Sequence, residues 1–534
     1  MKFRPRVITA SVLVGLFAFQ SANTYAANLA PTYLLPSSNS VSLKVLATAG
    51  DRFAGSIIPG IPDGMGAHTN GNMMTVLSVF EHSISNSFVK TRENKSAPWG
   101  ASITKFSFSP RLKAFTSANT NFIKNINFWN YTTSSWVADP TNSGPANSPA
   151  GTFGWGINRF CSAYMAPAGT FLHKDGNTTL GYDGALFLSG EEAGDASRAF
   201  AFEMDGTGYQ FARAGMASWE NIVVSGKPGK NTVALGLEDG SATNSHLHMY
   251  VGTKTATGNA FEKAGLNNGK LYVLNVPTAA TDNVFRTAIG KNKSTPVTFK
   301  EVNWNQTVAD FDKSVTAEGT EFARIEDGEF DSNNPNVFYF LTTESNKDLI
   351  ATAPNPATPT VTRDGGGLWR LTFKDAQNPL LGAELELLLN GGENIYMSKP
   401  DNMAITKNGV IMIQEDPGNN DHVARVVAYR IKDAKLATVA AFSSEHFAKG
   451  ATKLITLDEE SSGIIDVTSM MAKKGDTNTY FLLNAQVHTT GVAPARPDLA
   501  KRSEATKTKL NNVAVEGGQF YLMTVSDWNS VFSS

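Results

Sequence analysis

The chain has 534 residues, with 46 Lys and Arg against 48 Asp and Glu, and a formal net charge of −2. That balance excludes the general attraction to nucleic acid or to an anionic membrane surface that a strongly basic chain would have. Charged residues make up 18% of the chain and no Pro- or Ser-rich linker divides it, so residues 27–534 are expected to form a single domain with a large core.

Lys2, Arg4 and Arg6 precede an apolar run from Val7 to Phe19, and small and polar residues follow as far as Ala26. This is the layout of a cleavable secretory signal over residues 1–26. Arg4-Pro5-Arg6 is not a twin arginine, which favours export of an unfolded chain. The run is too short to cross a bilayer, and no later stretch reaches 18 uninterrupted apolar residues, so the mature protein is expected outside the cytoplasm, periplasmic or extracellular, without an integral membrane segment. Residues 118–149, rich in Asn, Ser, Thr and Pro, read as a surface insertion. A single cysteine, Cys161, permits no internal disulfide, and it is either a small buried apolar residue or a thiolate ligand.

Extended runs recur from Ala199 to Glu203, His246 to Val251, Lys270 to Val276, Asn336 to Thr343, Leu368 to Phe373, Met403 to Gln414, Thr479 to Leu483 and Gln519 to Val525. Their alternation and their β-branched and aromatic content predict strands. Asp205-Gly206, Lys407-Asn408-Gly409 and Asn390-Gly391-Gly392 supply hairpin signals. Helical periodicity is scarce, with short helices expected near Pro497 to Thr508. Strand groups over this length, without β-α-β alternation, predict an all-β fold, a β-propeller with long inserted loops and a few short helices. No WD or kelch signature and no clean repeat is visible.

Four acidic motifs each stand beside an extended run and a turn: Gly190-Glu191-Glu192, Trp219-Glu220-Asn221, Arg324-Ile325-Glu326-Asp327-Gly328 and Pro400-Asp401-Asn402. Any one alone reads as a solvated turn. As a set at strand ends of a closed ring they predict one convergent carboxylate site, held together by cations such as Ca2+. The oxygen-rich segments Gln414 to Asp421 and Asp458-Glu459-Glu460 concentrate donors that would suit calcium but read first as solvated turns, and His246 with His248, lacking a third ligand nearby, as packing or surface residues. No Gly-x-Ser-x-Gly, Walker A, Gly-x-Gly-x-x-Gly or His-Glu-x-x-His motif supports a serine hydrolase, a nucleotide-binding fold or a zincin.

From Pro62-Asp63-Gly64-Met65-Gly66-Ala67 to Glu516-Gly517-Gly518-Gln519, the order of these motifs resembles the PhoX-type alkaline phosphatases, secreted β-propeller phosphomonoesterases that use iron and calcium. The resemblance implies six blades, a metal cluster of Ca2+ and Fe3+ at the propeller mouth, and a small-molecule phosphate ester as substrate of a monomeric enzyme. It implies Glu81, Cys161, Glu191, Glu192, Glu220, Glu326 and Asp401 as metal ligands, with Glu191 or Glu192 filling one place, and Arg324 and Glu220 as catalytic residues. Hard Fe(III) suits carboxylates and tolerates one thiolate, while calcium accepts the remaining oxygens in loose geometry. Two other readings stay open: a calcium-stabilised propeller that binds a carbohydrate or protein without catalysis, and a calcium-dependent lactonase or esterase.

Overall fold

The computed structural model describes residues 30–53, 55–85, 100–241, 244–343, 365–418 and 422–533. The expected signal over residues 1–26 and the end of the Gln414 to Asp421 turn lie outside the described residues.

Short strands pair with their sequence neighbours in antiparallel ladders, and six such groups follow one another around a ring. Their innermost strands are Pro62–Asn70 (blade 1), Phe160–Ala166 (blade 2), Trp219–Val224 (blade 3), Ile325–Phe330 (blade 4), Pro400–Ile405 (blade 5) and Glu459–Asp466 (blade 6). Each adjoins the next, and blade 6 adjoins blade 1. The result is a closed six-bladed β-propeller, as expected, and closure removes the exposed inner edges that an open sheet would leave. Near-continuous apolar strands such as Val337–Thr342 are buried on both faces because each blade is sandwiched between two others.

The core is accordingly six layers, one between each pair of blades. Phe160 and Phe187 of blade 2 meet Leu77 and Ile103 of blade 1. Phe338 and Trp369 of blade 4 meet Leu235 and Met249 of blade 3. Met412 and Val426 of blade 5 meet Phe481 and Tyr521 of blade 6. Two N-terminal strands complete the ring from the outside: Leu34–Pro36 pairs with Lys435–Phe442 of blade 5, and Val41–Thr48 pairs with Gly517–Val525 of blade 6. Ser294–Val302 pairs with both Lys270–Asn275 and Ala383–Leu389, which joins blades 3 and 4 along their outer edges.

Two expectations change. Residues 118–149 are not simply an insertion on the surface: Asn125–Asn130 adds in parallel to Thr207–Gln210 of blade 2, and Ser135–Val137 pairs beyond it. Its polar composition hid buried Ile126, Phe128, Trp129 and Tyr131. The short helices expected near Pro497 to Thr508 are present, a single turn at Pro497–Leu499 and a helix at Glu504–Ala514, the second started by Ser503, whose side chain accepts from the Thr506 N–H. Asn390-Gly391-Gly392 does not close a hairpin; it leaves the outer strand of blade 4 on the way to blade 5. Among the described residues no helix is long and apolar enough to cross a membrane.

Candidate active site

The six blades present the same local construction to one end of the ring. Pro62, Phe160, Trp219, Ile325, Pro400 and Glu459 begin the innermost strands and pair with Phe80, Glu191, Glu238, Thr342, Glu415 and Val487 at the ends of the second strands. In blades 1 to 5 the pairing then slips by a bulge directly after that first pair, and in blade 6 it slips later, between Ser462 and Ile464. A bulge re-aims the side chain at the strand's start. The second residue of each innermost strand is a potential metal ligand: Asp63, Cys161, Glu220, Glu326, Asp401 and Glu460. The residue just past each second strand forms an outer ring: Glu81, Glu192, Asp239, Thr343, Asp416 and His488.

These side chains, Thr343 and Asp63 apart, line a polar mouth cavity of about 470 Å³ together with Arg159, Arg324 and Lys399. Three groups bring ligand atoms within 4.8 Å of one another: Asp63, Glu81 and Cys161; Glu220, Glu326 and Asp401; and Asp401, Asp416 and Glu460. Cys161 Sγ lies 3.4 Å from Asp63 Oδ2 and 3.7 Å from Glu81 Oε1. A polar layer beneath holds the carboxylates in place. Gln486 Nε2 donates to Glu81 Oε1 at 2.7 Å, and Asn402 Nδ2 to Glu220 Oε1 at 3.4 Å. Asn402 is fixed in turn because its Oδ1 accepts from Ser462 Oγ and the Gly463 N–H.

The electrostatics are those of a site built for cations. Burial pushes Glu220 well above the usual carboxylate range, and Asp401 and Glu326 beside it add to the shift. Burial likewise raises Glu326 and Asp401, with Asp239 acting on the first and Glu460 on the second. Asp63 rises through burial and the adjoining Glu81, whereas Glu81 is kept below its usual range, against its burial, by Arg159. Burial also raises the Cys161 thiol, with Glu220 and Glu81 contributing. Asp63 Oδ1, Glu220 Oε2 and Asp401 Oδ1 are buried without a hydrogen-bond partner. An orphaned buried carboxylate oxygen is costly unless a cation meets it.

Of the residues expected at this site, Glu81, Cys161, Glu192, Glu220, Arg324, Glu326 and Asp401 come together at the mouth. Glu191 does not. Both its oxygens turn into blade 2, where Arg198 Nε and Nη2 bond them at 2.7 and 2.9 Å and the Asn158 N–H adds a third bond at 2.8 Å. Arg324 presents its Nε and Nη2 to Asp239 Oδ1 and Oδ2 at 2.7 and 2.6 Å. Arg159 bridges Glu81 and Glu192 at 2.6 and 2.7 Å.

Sequence reasoning missed Asp63, Asp239, Asp416, Glu460, Arg159 and Lys399. Asp416 and Glu460 fall in segments that read first as solvated turns rather than calcium sites, yet Glu460 is buried and both line the mouth. Leu237-Glu238-Asp239-Gly240 carries the same signal as Gly190-Glu191-Glu192, acids closing a strand before a turn, and could have been included on that ground. His246 and His248 are buried within blade 3, each 3.1 Å from Glu238 Oε2.

A sequence profile described as alkaline phosphatase PhoX matches residues 153–484. No curated protein sequence matches the chain. Among solved structures, PhoX of Pseudomonas fluorescens in complex with vanadate, a transition state analogue, is 11% identical with a TM-score of 0.59, over 93% of this chain and 97% of that one. A protein of unknown function from Dyadobacter fermentans (5% identity, TM-score 0.34, 91% and 99% coverage) and the haemagglutinin-neuraminidase ectodomain of parainfluenza virus 5 (6%, 0.34, 92% and 84%) are more remote. The first of these shares the fold, and the profile spans more than half of the chain: the chain belongs to the alkaline phosphatase PhoX family.

Proposed function

We propose that the protein is an exported, metal-dependent phosphatase that hydrolyses phosphate monoesters at the propeller mouth, with calcium and iron as its metals. The observation that carries this reading is the ring of second-position ligands, Asp63, Cys161, Glu220, Glu326, Asp401 and Glu460, three of which have a buried oxygen without a hydrogen-bond partner. The donor set fits the metals: one thiol among carboxylates suits an iron beside Asp63, Glu81 and Cys161, and the all-carboxylate groups suit calcium. Bound there, the cations would neutralise phosphoryl oxygens and activate an oxygen nucleophile.

The chain's own residues supply orientation. Asp239 accepts from Nε and Nη2 of Arg324, which sets the plane in which this guanidinium, lining the cavity, would meet phosphate oxygens. Glu220 lies between the thiol group and the carboxylate group, and Asn402 fixes one of its oxygens. Arg159 ties Glu81 to Glu192 of the neighbouring blade through a single Nη2. The test is elemental analysis of the purified protein together with turnover of a monoester, a diester and a lactone. Calcium and iron with monoester turnover are expected. Folded, active protein free of both metals would overturn the reading, and calcium without turnover of any ester would leave a binding propeller instead.

A further inference from the structure

The turn that leads into the innermost strand is built alike in four blades. Ile61, Arg159, Arg324 and Lys399, each the residue just before that strand, take φ values of 53, 49, 59 and 45°. This left-handed backbone is unfavourable for residues other than glycine and persists only where the surroundings impose it. The three Lys and Arg side chains that line the mouth therefore occupy one repeated position, in blades 2, 4 and 5.

Two of them are engaged by carboxylates: Arg159 by Glu81 and Glu192, Arg324 by Asp239. Lys399 differs. Among the described residues its ammonium has no hydrogen-bond or ion-pair partner within reach, although its charge offsets part of the rise that burial and Glu460 impose on the Asp416 carboxyl. Its Nζ stands at the rim beside Gly418, where a Cβ would lie 3.7 Å from it, 3.4 Å from Asp458 Oδ1 and 3.8 Å from Asp416 Oδ1. In a ring of six, blade 5 stands opposite blade 2 and next to blade 4. Lys399 thus faces Arg159 across the cavity, with Arg324 one blade away. The cavity, about 470 Å³, is in the range that takes a whole small molecule rather than one phosphoryl group. An ammonium with three donors at that rim, outside the ion pairs that engage the two arginines, offers a second anion-binding point.

We propose that Lys399 is a specificity-determining residue that binds a second anionic group of the ester, a carboxylate or a further phosphate on the leaving group. The inference rests on the phosphatase reading and names its preferred substrates: phosphate monoesters of anionic alcohols. Lysine suits the role because its flexible stem can follow leaving groups of different length, whereas the arginines are held in fixed planes.

The test compares 3-phosphoglycerate with glycerol 3-phosphate, and fructose 1,6-bisphosphate with fructose 6-phosphate, in the metal-loaded wild type, Lys399→Ala and Lys399→Arg. Metal content and circular dichroism are measured on each. The wild type is expected to prefer the ester with the extra anion in at least one pair, and which pair it is separates a carboxylate from a phosphate. Lys399→Ala should lose at least about tenfold more kcat/KM on that ester than on its partner, mainly through KM, and Lys399→Arg should recover most of the loss. Equal losses on both members of a pair would place Lys399 on the reacting phosphoryl group and overturn the proposal. So would no loss on either, or a gain in bound calcium, which would make Lys399 a counter-charge to Asp416 and Asp458. A wild type that turns over none of the four esters would count against the phosphatase reading. Calorimetric binding of pyrophosphate and of orthophosphate, with the same tenfold differential expected in Lys399→Ala, then decides on Lys399 independently.

Discussion

Glu220 has one oxygen held by Asn402 and the other buried without a partner, between the thiol group and the Glu326 and Asp401 carboxylates. Glu220→Gln keeps the shape and removes the charge, so monoester turnover is expected to fall at least about a hundredfold, roughly 2.7 kcal/mol of barrier, with the circular dichroism spectrum unchanged. Arg324→Lys keeps the charge but loses the fork that Asp239 aligns. A smaller loss of turnover is expected there, with weaker inhibition by inorganic phosphate, because substrate and product share the same oxygens. Cys161 makes a third case. As an iron ligand its replacement by Ala should lower iron content and activity together, whereas as a merely buried thiol it should change stability by about 1 kcal/mol or less and leave the metal in place. Elemental analysis of that variant separates the two.

At the scale of the strand, the outer ring depends on acids one residue earlier that never reach the cavity. Glu191, Glu238 and Glu415 close the second strands of blades 2, 3 and 5, and each turns into its blade to meet a cationic or imidazole partner: Arg198, the pair His246 and His248, and Arg425. Each acid so anchored fixes the backbone from which Glu192, Asp239 or Asp416 projects to the mouth. Arg198 also stacks on Phe128 and Phe200, with its guanidinium carbon 5.6 and 5.4 Å from the ring centres. Arg198→Met preserves much of that packing but leaves Glu191 charged and buried without its partner, so a loss of about 3–5 kcal/mol is expected in denaturant unfolding. Activity per folded molecule should fall as well, since Glu192 is the next residue. A near-native midpoint would show that Glu191 is relaxed by water instead.

For the molecule as a whole, the ring concentrates acids that the unfolded chain keeps apart. Burial, partly offset by Arg159, pushes Glu192 up to about 8, and burial with Glu460 pushes Asp416 up to about 7. The metal-free native state therefore holds protons that the unfolded chain releases above about pH 4.5, near the ordinary glutamate value. By linkage, a group raised on folding contributes stability that is present below its unfolded value and lost as pH rises through its folded one. The chelated protein should accordingly melt at lower temperature at pH 8 than at pH 5. If calcium is the cation of the proposed function, it binds the ionised native site, so adding it should raise Tm most at pH 8 and flatten the profile. Thermal melts with and without chelator across that range check both; a chelated protein whose Tm rises towards pH 8 would contradict this proton balance.

The amino-acid sequence by itself determined the class of fold and the membership of much of the site. Strand after strand was legible because blade strands are short, aromatic and β-branched, and their turns use Gly, Asn and Asp for left-handed backbone; Ala199–Glu203 was placed to the residue. The acids at 192, 220, 326 and 401, with Arg324, were legible because each interrupts an apolar strand end. What only the tertiary structure decided is register. Glu191 and Glu192 are adjacent in the chain, yet strand alternation sends one to Arg198 inside the blade and the other to the mouth. The repeat itself was invisible because blades carry loops of unequal length, so nothing in the sequence aligned Asp63, Asp239, Asp416 and Glu460 with one another; their common place at strand starts and ends emerges only from the blade pairing. Ring closure places the first and last blades side by side and sets Lys399 opposite Arg159, a relation between distant segments that no local pattern of residues encodes.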